Sequence, residues 1–338
     1  MTAELPGLDL DRFRGYFEKV CPGEVAGPLT GSLVAGGKSN LTYIVGDGHK
    51  EWVVRRPPLG HVLATAHDMT REYRVMTALR DTDVPVPRTY ALCEDEDVIG
   101  AQFYVMERVH GTPYRTAAEL SALGEERTEA ISRRSVETLA TLHSVDPAAV
   151  GLSDFGRPEG FLERQVRRWK KQLDSSHSRD LAGAEELHAL LQQNIPAEQA
   201  PAIVHGDYRL DNLLIDEHDN IAAVLDWEMA TLGDPLTDVA LMLLYSDLAR
   251  MTDSVADAPT APGFLGREET IALYAERSGR DLAGMGFYLG LAAFKLAVIL
   301  EGIHYRYTQG QTVGEGFDSV GNAVEPLIAT GITSLKED

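Results

Sequence analysis

His205-Gly206-Asp207-Tyr208-Arg209-Leu210-Asp211-Asn212 decides how this chain is read. The apolar Ala202-Ile203-Val204 runs into it, and Leu213-Leu214-Ile215-Asp216 leads out. A second apolar run, Ile221-Ala222-Ala223-Val224-Leu225, then delivers Asp226. Short apolar runs bounded by turn residues read as buried strands. Such strands are expected to carry Asp207, Asn212 and Asp226 to one place. Phosphoryl transfer from ATP needs these parts: a carboxylate that orients and accepts from a hydroxyl, and an Asn and an Asp that hold magnesium.

Working outward, the N-terminal third reads as mixed strand and helix. Leu10, Phe13, Phe17 and Val20 have helical spacing, and Cys21-Pro22-Gly23 stops that helix. Pro28 to Val34, Leu41 to Val45 and Glu51 to Arg55 read as strands. A helix over Asp68 to Leu79 follows, then strands over Thr89 to Cys93 and Gln102 to Met106. Gly111 and Pro113 punctuate the segment after Glu107, which sets the expected boundary: residues 1–107 as one lobe, 108–338 as the other. Beyond it the pattern is mainly helical, with helices expected over Ile131 to Leu142, Gly160 to Leu173, Leu236 to Tyr245, Glu268 to Glu276 and Gly286 to Tyr307. Asp253 to Phe264 reads as a loop.

The set His205-x-Asp207-x4-Asn212 follows the spacing of the protein-kinase catalytic loop. With Gly206, with Leu225-Asp226-Trp227-Glu228, and with Gly233-Asp234-Pro235-Leu236-Thr237-Asp238, the chain resembles the aminoglycoside phosphotransferase family of small-molecule kinases. Trp52-Val53-Val54-Arg55-Arg56-Pro57-Pro58, Arg71-Glu72-Tyr73, Tyr104-Val105-Met106-Glu107 and Arg164-Gln165-Val166-Arg167-Arg168-Trp169 are most similar to the kinase-like domains linked to acyl-CoA dehydrogenases. The resemblance implies an α+β, bilobal protein-kinase-like fold with a small, mostly β N-lobe and a larger helical C-lobe. It implies ATP and magnesium as cofactors and a small-molecule hydroxyl as acceptor.

Residue by residue, the resemblance makes Asp207 the base, with Arg209 neutralising the transferred phosphoryl group. Asn212 and Asp226 become the metal ligands. Magnesium takes few protein oxygens and completes its shell with water and phosphate, so two short side chains suffice. His205 supports the loop, and Asp234 and Asp238 brace it. Gly36-Gly37-Lys38-Ser39-Asn40 brushes against a phosphate-loop pattern, but Ser32 stands where the first glycine is required and a strand follows instead of a helix. Gly36, Gly37, Ser39 and Asn40 are therefore read as a hairpin that covers nucleotide phosphates. Arg55 stands where kinases place lysine, with Glu72 as its partner; an arginine fork suits both phosphate and carboxylate. Arg56 is expected on the exposed face. Met106 and Glu107 match the hinge that holds adenine. Arg164 and Arg168 on one helix, and Tyr305 and Arg306 on the late helix, are the acceptor candidates. A solvated helical face is the commoner explanation of such an arginine run.

The net charge of −21 argues against nucleic acid or an anionic membrane as a partner. Two cysteines, Cys21 and Cys93, make no disulfide framework, and Met1 to Pro6 lacks the basic and apolar parts of a leader. Both lead to a cytoplasmic expectation. The apolar stretch Met285 to Leu300, interrupted by Lys295, is expected to be a core helix too short for a bilayer. The acceptor stays open between a hydroxyacyl-CoA-like metabolite and an aminoglycoside or macrolide antibiotic. A third reading, a nucleotide-binding pseudokinase without catalysis, rests on Arg55. No pattern addresses oligomeric state.

Overall fold

Residues 51–56 show how the first sheet forms. Trp52, Val54 and Arg56 are buried, Glu51 is exposed, and Val53 and Arg55 are half-buried. Strand side chains alternate between faces, so one face of this segment lies on a core. The computed structural model describes residues 5–34, 40–59, 68–176, 179–251, 256–310, 317 and 319–337.

In chain order the elements begin with α1 (Leu10–Val20), β1 (Thr30–Leu33), β2 (Leu41–Gly46), β3 (Glu51–Arg56), α2 (Met69–Leu79), β4 (Thr89–Cys93) and β5 (Phe103–Glu107). Then come α3 (Ala117–Ser121), α4 (Glu125–Ser144), α5 (Phe161–Ser176), α6 (Ala184–Gln193), β6 (Ala202–Val204), β7 (Leu213–Ile215) and β8 (Ile221–Val224). The last are β9 (Thr231–Gly233), α7 (Leu236–Met251), α8 (Arg267–Ser278), α9 (Met285–Thr308) and α10 (Val324–Glu337). The fold is α+β.

Two compact units divide the chain. One is Met1–Pro113 with Asn212–Ala230; the other is Tyr114–Asp211 with Thr231–Asp338. The sequence predicts a linear boundary after Glu107, whereas compactness groups the β7–β8 segment with the N-terminal residues.

In the first unit an antiparallel sheet runs in the order β1-β2-β3-β5-β4. At 11 residues, α1 is too short to persist alone in water. Asp9 caps its start, accepting from the N–H groups of Asp11 and Arg12 at 3.0 Å. Burial of Phe13 and Phe17 against Phe103 and Trp52 then decides the matter, each ring contributing about 1.5–3 kcal/mol. Arg56 corrects an expectation. It shares the buried face with Trp52 and Val54, and its guanidinium donates to the carbonyls of Gly7 (2.5 Å) and Ile99 (2.9 Å). A buried cation is tolerated there because backbone oxygens replace its water. The β7–β8 hairpin joins this unit through Val224 N–H to Pro85 O at 2.8 Å. It also pairs with Thr112, which exchanges two backbone bonds with Ile215.

The second unit is helical apart from the short pair β6 and β9. Here α9 packs on α10, α7 and α5. It has 24 residues and is long and apolar enough to cross a membrane by length and composition, which corrects the shorter expectation. Yet 78% of its most apolar window is buried within the protein, as in a core helix. Three helices and a strand had no sequence signal strong enough to find: α3, α6, α10 and β9. The loop expected over Asp253 to Phe264 contains a 3-10 turn at Ala258–Thr260, and residues 252–255 lie outside the described residues.

Candidate active site

In the first unit, the side chain of Arg55 is the hub. Register places Arg55 opposite Tyr104 on β5. Its Nη2 donates to Asp226 Oδ1 at 2.6 Å, and its Nε lies 3.4 Å from Glu72 Oε2. Tyr104 donates its hydroxyl proton to the same Glu72 oxygen at 2.9 Å. Glu72 comes from the first turn of α2, whose N-cap is Asp68. The neighbouring Arg71 donates from Nε to the carbonyl of Ala230 at 2.9 Å, so α2 also holds the end of the Asp226 segment.

Burial pushes the Glu72 carboxyl up to about 6, with the charge of Asp226 adding to it against the pull of Arg55. The Arg55 pKa is raised as well, which for a base favours the charged form. Desolvation opposes its charge, but Tyr104, Glu72 and Asp226 together raise its pKa above the ordinary arginine value. The pair therefore keeps a firm cation and a carboxylate with a reluctant charge.

The β7–β8 register sets Leu213 against Val224, and Leu225 N–H donates to Asn212 O at 2.8 Å. Asn212 and Asp226 thereby meet at one end of the hairpin. Asp226 has φ 65°, in the left-handed region. Among the described residues, Asp219 is the other non-glycine residue with positive φ, and it sits in the β7–β8 turn, where Asp is ordinary. Asp226 is in no hairpin turn, and strained backbone of this kind gathers at functional sites. Oxygen donors on Asn212 and Asp226, with the Asp226 side chain 28% accessible, suit a hard cation such as magnesium. Among the described residues no group of three His, Cys, Asp or Glu side chains forms a metal cage.

In the second unit the loop after β6 is gripped by its neighbours. Gly206 has φ 83°, which explains glycine between His205 and Asp207. Asp238, in the first turn of α7, accepts the N–H of His205 (2.6 Å) and of Gly206 (2.8 Å). Hydrogen bonds from His143 and from the loop outweigh burial and lower the Asp238 carboxyl. His205 is fully buried and its Nδ1 accepts the Asp207 N–H at 3.2 Å, a supporting role. Asp234 caps α7 through Leu236 N–H at 3.1 Å and accepts from Tyr288 at 2.9 Å. Lys295 of α9 donates to the Gly206 carbonyl at 2.6 Å. Desolvation draws its ammonium below the usual lysine value.

Asp207 Oδ1 accepts from the Tyr245 hydroxyl at 2.7 Å. Arg209 grips Asp211 with Nε and Nη2, the latter at 2.8 Å, and Arg115 approaches the same carboxylate at 3.6 Å. Asp211, without a role in the sequence, is thus the counter-ion of Arg209. Tyr245 is a residue that sequence reasoning missed at this site, and the contact of Lys295 with the Gly206 carbonyl is one the sequence did not assign. The usable signals were Asp238 and Tyr245 seven positions apart, two helical turns on one face, and a lone cation in an apolar helix.

Several expectations change. Gly36, Gly37 and Ser39 lie outside the described residues. Asn40 is 4% exposed and its amide donates to Glu72 (3.3 Å) and Glu228 (3.4 Å). The Glu107 N–H donates to Arg88 O at 2.7 Å, and Met106 is paired inside the sheet. Arg164 spends its guanidinium on the carbonyls of Arg157 and Glu159. Arg168 is exposed and lies over the Trp169 ring at 5.3 Å, with Lys295 over that ring at 5.8 Å. Tyr305 is half-buried and Arg306 exposed in the last turns of α9.

Residues 30–280 match the Phosphotransferase enzyme family, APH. Acyl-CoA dehydrogenase family member 11 of Mus musculus is 34% identical over 339 residues, covering 97% of this chain and 43% of that protein. The chain thus spans less than half the length of the curated relatives it matches. A crystal structure of a candidate aminoglycoside phosphotransferase from Ralstonia eutropha JMP134 superposes with TM-score 0.85 at 34% identity, covering 97% of this chain and 98% of that one. Aminoglycoside phosphotransferase APH(4)-Ia, solved as a thermostable mutant with AMP-PNP and hygromycin B, shares the fold at TM-score 0.60 and 17% identity, over 94% and 97% of the two chains.

Proposed function

This chain belongs to the APH phosphotransferase enzyme family, and on that premise we propose that it moves the γ-phosphate of ATP to a hydroxyl of a small molecule. The observation that carries this reading is Arg55 held by Glu72 and Asp226. It supplies a fixed cation for nucleotide phosphates and a carboxylate for a metal, in one cluster. Asn212 and Asp226 would hold magnesium, which when bound neutralises charge on the phosphates. Arg55, oriented by Glu72, binds phosphate oxygens through its fork. Asp207 orients the acceptor hydroxyl and takes its proton. Lys295 and the Asp238 carboxylate keep the loop backbone of Asp207 in place.

For the acceptor, a hydroxyacyl-CoA-like metabolite is the favoured class. Arg168 and Lys295, which share the Trp169 ring, stand in the unit that carries Asp207, which suits an anionic acceptor better than a polycationic aminoglycoside. The relation to acyl-CoA dehydrogenase family members agrees with it. The free cysteines Cys21 and Cys93 suit a cytoplasmic location.

The test has two arms. Magnesium-ATP is expected to raise the melting temperature by mass action. Mass spectrometry of reactions with hydroxyacyl-CoAs, aminoglycosides, macrolides and amino alcohols is expected to show a product carrying one phosphate from the first class. A nucleotide-dependent shift without product from any of these would favour a nucleotide-binding protein without turnover. A product from an aminoglycoside would overturn the acceptor class.

A further inference from the structure

Asp207 is held by its backbone and by its side chain, and the two are held differently. The backbone is fixed by the His205 ring and, one residue earlier, by Lys295 on the Gly206 carbonyl. These contacts set where the Cα sits but not how the carboxylate turns. The Tyr245 hydroxyl reaches Oδ1 at 2.7 Å and fixes that rotation. The same tyrosine seats a second group: the Arg209 guanidinium lies over its ring, 4.8 Å from the centroid. Cations are drawn to the face of an aromatic ring, so the ring orders Arg209 while Asp211 balances its charge.

We propose that Tyr245 is the positioning residue of the transfer reaction, aligning the Asp207 carboxylate through its hydroxyl and the Arg209 cation through its ring. This rests on Asp207 acting on the acceptor, the role given to it above. The tyrosine is suited to the task because its proton stays in place. Burial, and then the charge of Asp207, push the phenol well above its ordinary value, so it donates throughout the working pH range. Charged and titratable groups near the pair include Arg209, whose charge Asp211 also meets, Lys295, which Asp238 and Arg168 also influence, and the His205 ring on the Asp207 N–H. A neutral donor orients the carboxylate without cancelling its charge.

Two variants separate the hydroxyl from the ring. Tyr245→Phe keeps the seat of Arg209 and removes the donor. Its single-turnover transfer rate is expected to fall about tenfold to a hundredfold, the worth of a hydrogen bond to a charged group. The acidic limb of its rate profile should move to higher pH, because the carboxylate has lost a donor that favours its ionised form. The KM for ATP should stay the same. Tyr245→Leu should lose a further severalfold in rate as Arg209 loses its aromatic face. A Phe variant with the wild-type rate and limb overturns the proposal, as does one that merely melts earlier with its pH profile unmoved. An arm independent of turnover follows the Asp207 carboxyl by 13C NMR in protein labelled at aspartate Cγ, assigned with Asp207→Asn. Its titration should shift upward in Tyr245→Phe, and an unchanged titration overturns the proposal even if no acceptor is found. Failure of transfer in the wild type, with that shift present, falls on the function and not on Tyr245.

Discussion

Asp226 and Asp207 each follow a short buried strand, yet the two units treat them in opposite ways. At Asp226 the aspartate itself adopts the left-handed backbone, and a buried guanidinium meets its carboxylate. At Asp207 the preceding glycine takes the left-handed turn, and a neutral phenol meets the carboxylate. A cation partner reduces net charge and leaves a balanced cluster for phosphate and metal. A neutral donor orients a carboxylate without itself cancelling charge, and the cations that act on Asp207, Arg209 and Lys295, are shared with Asp211 and Asp238. The partner, more than the aspartate, separates the two roles.

The sharpest way to break this contrast is to remove each carboxylate in turn. Asp207→Ala should lower transfer by about a hundredfold to ten-thousandfold, the range for losing a general base, and should keep the thermal shift with magnesium-ATP. Asp226→Ala should lose that shift. Comparable turnover in the first, or an intact shift in the second, would refute the division of labour. Next in size is the cation. Arg55→Met leaves Glu72 buried beside Tyr104 without its partner charge, and urea titration should show a loss of about 3 kcal/mol. Arg209→Met, whose partner pair is more exposed, should cost about 1 kcal/mol or less. Equal losses would show that burial does not distinguish the two pairs.

Glu72 supplies the pH test. Its folded pKa, about 6, exceeds the ordinary 4.5, so between these values the folded protein binds more protons than the unfolded chain. Stability from this group is therefore lost as pH rises from about 4.5 to 6. Its hold on Arg55 moves the other way, since the carboxylate is charged only above about 6. The kcat/KM for ATP should fall as pH drops through 6, and Glu72→Gln should lack that limb; a Gln variant with the same limb assigns it elsewhere. The smallest effect belongs to the surface. Arg168→Glu should raise the KM of a CoA-bearing acceptor severalfold and spare ATP, and no change would remove Arg168 from the acceptor argument.

Local chemistry made part of this legible in advance. Alternating strands, the α2 helix and the spacing from His205 to Asn212 follow from neighbours in sequence. The partnership of Arg55 with Glu72 was implied by the resemblance to kinases, not by any local pattern, and the two side chains do meet. The contacts of Tyr104, Tyr245 and Lys295 were harder to read, because each hydrogen bond reaches a partner far away in sequence. Arg56 misled because a charge was assigned to solvent although Trp52 and Val54 mark its face as the buried one. The bonds from the Asn40 amide to two carboxylates of the same unit were not readable, because Glu72 and Glu228 lie far away in sequence.

The return of the chain at Asn212 to complete the first unit has a practical consequence for dissecting the gene. A fragment stopped at codon 113 would lack the hairpin that supplies Ile215 to Thr112 and Val224 to the Pro85 carbonyl. It would expose those backbone groups and strand Arg55 without one of its two acids. A separable nucleotide module would have to be rebuilt by splicing residues 212–230 back onto it with a designed linker.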